Sequence, residues 1–148
     1  MARFYPISPL FWTDEKTAAW DEPTRNLAFY VLTCEHRNLE GLYRLPYAYV
    51  AADLGWAVDE VSFRMETLIE CGFIKYDPDA RVIFLPKALK YHQPTSPNHV
   101  KGALNDLASV PDTCLLDDFL EAANRYAPTL AKALPNPSEW VDFEKAAA

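Results

Sequence analysis

The side chains best suited to holding a phosphate backbone fall in one short part of this chain, at Lys75, Arg81, Lys87 and Lys90. A lysine or arginine beside a phosphate releases condensed counterions, and such contacts fix register without reading sequence. Just upstream, residues 58–71 carry Ser62, Arg64 and Thr67. Hydroxyl and guanidinium groups of this kind can reach base edges in a major groove. The same stretch holds Phe63 among Asp59, Glu66 and Glu70, and an aromatic side chain left outside a core is a good anchor for a protein interface. Two kinds of recognition therefore compete for one segment.

Catalysis has no comparable support. The chain lacks a Gly-rich phosphate loop, a GxSxG elbow and any Cys/His cluster with metal-ligand spacing. Asp77 with Asp79 reads as turn chemistry, and Asp117 with Asp118 as a solvated helix face. His36 reads as a helix-end residue near the negative pole, while His92 and His99 have no nucleophile or acid at a suggestive spacing. Neither an enzyme, a cofactor nor a metal is expected. Cys34, Cys71 and Cys114 are odd in number and far apart, so they are expected to be free, buried or semi-buried thiols.

The elements that must position these residues follow from periodicity and punctuation. Phe4, Tyr5, Ile7, Leu10, Phe11 and Trp12 alternate with prolines as an aromatic arm packed on the domain. Thr13 is expected to cap a short helix ending near Trp20. A longer helix begins at Asp21 or Glu22 with Pro23 in its first turn, and Leu27, Tyr30, Val31 and Cys34 give it an inner face. Residues 41–45 form a short strand, and Pro46 opens a helix that runs to Leu54 and turns at Gly55. The next helix, 58–71, stops at Gly72. At about 100° per residue its Val61, Met65, Leu68 and Ile69 share one side with Val58, expected to be core, and Asp59, Phe63, Glu66, Thr67 and Glu70 the other. Phe73 to Leu85 then reads as a hairpin around Asp77-Pro78-Asp79-Ala80.

Helix, Gly turn, helix, Gly stop, hairpin is the order of a winged helix-turn-helix. The expected fold is α+β, mainly α: a winged helix-turn-helix with a small three-stranded sheet over residues 1–91, and a helical extension and tail over residues 92–148. In the extension, Ser96 and Pro97 open a helix with Val100, Ala103, Leu104 and Leu107 as its stripe. A second one carries Leu115, Leu116, Phe119, Leu120 and Ala123. Such stripes either pack back on the first domain or bury against a partner. Pro128, Pro135 and Pro137 are expected to end regular structure, leaving Trp140 and Phe143 as an apolar hook. Phe63, Phe119, Trp140 and Phe143 are the candidate protein-interface residues.

The chain has 148 residues, half of them apolar and 14% aromatic, which favours a real core over disorder. No apolar run reaches the ~20 residues of a membrane span, and the N-terminus lacks a secretion signal, so a cytoplasmic protein is expected. The three final alanines read as a vector scar or the cut end of a longer chain. The net charge is −7, unfavourable for holding nucleic acid. Yet charges are screened beyond about 8 Å at physiological salt, so placement matters more than the sum. Residues 1–91 hold ten basic and thirteen acidic side chains.

Several stretches resemble the N-terminal domain of phage and prophage replication proteins, the replisome-organiser or DnaD-like winged-helix family. They are Phe11-Trp12-Thr13-Asp14-Glu15-Lys16, Leu27 to Thr33, Gly41-Leu42-Tyr43-Arg44-Leu45-Pro46, Leu54-Gly55-Trp56, Gly72-Phe73-Ile74-Lys75-Tyr76, Leu89-Lys90-Tyr91 and Pro97-Asn98-His99-Val100-Lys101-Gly102. The resemblance spans roughly residues 4 to 115. It implies a winged helix in a bacterial host cell that faces duplex DNA during replication initiation or its regulation. It also implies self-association or a replication-protein partner. On that reading Ser62 and Arg64 approach bases with Thr67 in support, and Lys75, Arg81, Lys87 and Lys90 hold phosphates. The alternative is a protein-interaction module on the same scaffold, pairing with itself or with a host protein.

Overall fold

The computed structural model describes residues 4–135. The fold is α+β and mainly helical, with a small antiparallel sheet. A 3₁₀ turn at Pro9–Trp12 leads into α1 (Glu15–Ala18) and α2 (Glu22–Thr33), followed by β1 (Leu42–Arg44), α3 (Tyr47–Leu54) and α4 (Val58–Glu70). The hairpin is β2 (Lys75–Asp77) and β3 (Val82–Phe84), and the extension is α5 (Ala88–Tyr91), α6 (Pro97–Ala108), α7 (Leu116–Tyr126) and α8 (Pro128–Ala133). The strands lie in the order β1-β3-β2, both pairings antiparallel.

Local chemistry accounts for most boundaries. Asp21 caps α2 by accepting from the Thr24 amide at 3.0 Å, with Pro23 in the first turn. Gly55 ends α3 at φ 70°, the left-handed region that glycine enters without a Cβ penalty. Gly41 answers a different demand: at φ 76°, a Cβ there would lie 2.4 Å from that of Ala88. Buried Asn38 shapes the approach to β1, accepting from the Gly41 and Leu42 amides and donating to the Leu42 carbonyl at 2.7 Å.

Five expectations need correction. Val58, expected on the core side of its helix, is 52% exposed, because it is the first residue of α4 and lies beyond the packed turns. Asp14, not Thr13, caps α1, accepting from the Lys16 amide at 2.8 Å; the Thr13 amide instead closes the preceding turn on Leu10. Phe73 is not in the hairpin, because its amide bonds back to the Leu68 carbonyl and completes the end of α4. Pro128 opens α8 rather than ending structure, since a first-turn position needs no amide hydrogen. Cys34 is buried and Cys71 half-buried, but Cys114 is exposed.

The sheet separates two apolar clusters, and strand alternation explains how. Tyr43 and Ile83, paired across β1 and β3, point into a core with Leu27, Val31, Val61, Met65 and Leu68 of α2 and α4. Leu42 and Phe84, also paired, point into a second cluster with Leu89, Leu107, Phe119 and Leu130. Successive strand residues face opposite sides, so Val82, Ile83 and Phe84 are all buried. The extension therefore packs back on the sheet, and the second cluster straddles the expected boundary at residues 91 and 92.

Candidate nucleic-acid interface

Register determines which cations remain available. Lys75 pairs with Phe84 and Asp77 with Val82, which places both on the sheet face covered by the extension. There Lys75 Nζ lies 3.3 Å from Asp118 Oδ1 of α7. Asp77 is buried and binds the segment before α7. One carboxylate oxygen accepts from Thr113 Oγ1 at 2.8 Å and the Cys114 amide at 3.2 Å, the other from the Asp79 and Ala80 amides at 3.0 and 3.3 Å. Burial pushes the Asp77 carboxyl up, but these hydrogen bonds outweigh it and hold it below its ordinary value.

On α4, Arg64 is tied down within the fold. Its Nε donates to Glu60 Oε1 at 2.8 Å, one turn earlier, and its Nη1 pairs with Asp21, the α2 cap. The Glu60 and Asp21 contacts hold the guanidinium above its ordinary pKa. Reading Arg64 as a base contact therefore needs revision: the group braces α2 against α4. Ser62 is exposed and Thr67 half-buried, so these two keep only the hydroxyl chemistry expected of them. Around them, Asp59, Glu66 and Glu70 are exposed and Phe63 is 61% exposed, an outward face hostile to phosphate.

Arg81, Lys87 and Lys90 are exposed, and no described carboxylate forms an ion pair with any of them. Arg81 sits at the hairpin turn with φ 57°, its carbonyl accepting from the Leu45 amide at 2.7 Å. Lys87 and Lys90 flank the start and middle of α5, beyond the other end of β3, with the Lys90 ammonium 5.7 Å from the Tyr91 ring centre. At about 3.3 Å per strand residue, Arg81 and Lys87 are separated by roughly 20 Å at most. The four expected phosphate cations thus resolve into one surface ion pair, Lys75 with Asp118, and two exposed sites without a described ion-pair partner.

Phe119 is not an interface residue. It is 0% exposed, with its ring edge-on to Phe84 at 6.1 Å, because the α7 stripe that carries it covers the sheet. Trp140 and Phe143 lie outside the described residues. Thr113 escaped the sequence reading, and Asp118, read there as part of a solvated helix face, instead pairs with Lys75; they join Asp77 and Lys75 only through the sheet register. The Arg64–Glu60 pair did leave a local signal, a glutamate four residues before an arginine on one helix.

A separate cleft of about 340 Å³ opens beside β1 and α6. Arg37 and Arg44 line it, but so do Glu35 and Asp106, so its charge favours neither an anion nor a cation. Among the described residues no helix is long and apolar enough to cross a membrane, and no cluster of His, Cys, Asp and Glu could hold a metal ion. No family model, curated protein or solved structure matches the chain, and the likeness to phage replication proteins rests on the residues quoted for it.

Proposed function

We propose that the chain is a winged-helix protein that binds duplex DNA through phosphate contacts at the two ends of β3, in the replication role its sequence resembles. The observation that carries this reading is the presence of Arg81 at one end of the strand and Lys87 with Lys90 at the other, exposed and without an ion-pair partner among the described residues. The order of elements from α2 to β3 supports it, being that of a winged helix. A separation of up to roughly 20 Å lets the two sites reach opposite backbones of a major groove about 12 Å wide. The acidic face of α4 stays away from the groove, so affinity comes from phosphates and carries little sequence preference.

Charge reversal tests this. Arg81→Glu combined with Lys87→Glu and Lys90→Glu should weaken binding to a fluorescent duplex by at least about tenfold, equally for unrelated sequences. Lys75→Gln should change it by less than about twofold, since that ammonium already faces Asp118. Undiminished binding by the triple variant would reject the assignment.

A further inference from the structure

The outward face of α4 has a chemistry that DNA binding leaves unused. Asp59, Phe63, Glu66 and Glu70 fall at spacings of four, three and four residues, which places them on one stripe of the helix. Val61, Met65 and Leu68 form the opposite stripe and are fully buried, so the orientation of the helix is fixed and the acidic stripe points outward. Phe63, 61% exposed, stands in the middle of that stripe. The helix holds one cation, Arg64, and both of its ion pairs are with Glu60 and Asp21. Nothing in α4 therefore neutralises Asp59, Glu66 or Glu70.

We infer that this stripe docks a cationic amphipathic segment of a partner protein. The phenyl ring of Phe63 enters the apolar side of that segment, and its lysines or arginines meet the three carboxylates. Charge complementarity selects this occupant. A phosphate backbone or an anionic membrane surface meets like charge at Asp59, Glu66 and Glu70, whereas a purely apolar partner would strand these carboxylates without counter-charges. A central aromatic within a polar rim is also the usual arrangement of an energetic anchor. The docked face is distinct from the cations at the ends of β3, so the inference stands independently of the DNA reading.

The test uses the full chain and a fluorescein-labelled helical peptide of lysine and leucine with a single apolar stripe, read by anisotropy at low salt. Phe63→Ser should weaken binding about tenfold, the loss expected of a modest interface anchor. Glu66→Lys with Glu70→Lys should weaken it at least as much. Asp117→Lys with Glu121→Lys, a reversal of the same size on α7, should leave it within about twofold. Phe63 is exposed, with the Arg64 guanidinium 5.1 Å from its ring centre, so its variant should melt within a few degrees of wild type. Equal losses from the α4 and α7 reversals, or no loss from Phe63→Ser, would reduce the attraction to net charge and overturn the proposal. Sedimentation showing a dimer that Phe63→Ser dissolves would overturn it in favour of a second copy of this chain.

Discussion

Phe119→Ala should destabilise the fold by about 4 kcal/mol, lowering the midpoint of thermal unfolding by roughly 10–15 °C. The side chain is fully buried between α7 and the sheet and meets Phe84 edge-on. Truncation removes the transfer free energy of a phenyl ring and leaves a cavity that the neighbouring strand cannot easily fill, because Leu42 and Phe84 are held in register on it. Calorimetry of the two proteins measures the effect. A loss below about 1 kcal/mol would mean that the second cluster contributes little and that α7 rests only lightly on the sheet.

Asp77→Ala should cost about 2 kcal/mol at neutral pH, because four part-buried donors lose a charged acceptor and regain only water. The effect has a pH signature. Hydrogen bonding lowers the carboxyl in the folded state beneath its ordinary value, in spite of burial. Its contribution is therefore fully present above the unfolded value of about 4 and is lost as pH falls through the lower folded value. Urea midpoints of wild type and variant should be furthest apart at neutral pH and should converge under acid. A gap that stayed constant with pH would show that the Asp77 carboxylate is not what holds the Thr113–Cys114 segment to the hairpin.

Much of this architecture is legible in the residues themselves. Gly55 and Gly72 mark helix ends, Asp21 with Pro23 marks a start, and the angular placement of Val61, Met65 and Leu68 identifies the buried side of α4. Even the double burial of the sheet has a sequence signal, since Val82 to Leu85 is an unbroken apolar run where a half-exposed strand would alternate. The partners of the candidate site are less legible. Lys75 and Arg81 look equivalent as cations on two arms of a hairpin. Only the register, which sends Lys75 toward Asp118 and leaves Arg81 at the turn, distinguishes them. Arg64 likewise looks available on the flank of its helix until α2 brings Asp21 across to it. Phe119 belongs to an apolar stripe whose destination, sheet or partner, is decided by tertiary packing.

On the proposed reading Arg81, Lys87 and Lys90 are the three cations that would hold DNA, one fewer than the sequence suggests, and the difference is measurable. Each phosphate contact contributes about −0.9 to the slope of log K against log salt, so three predict about −2.7, or an affinity loss of roughly 40-fold when salt is raised fourfold. A salt titration of the intact chain on duplex DNA measures that slope directly. A value near −2.7 that the triple charge reversal abolishes is the result expected. A slope near zero, or no binding at the lowest salt, would contradict the account.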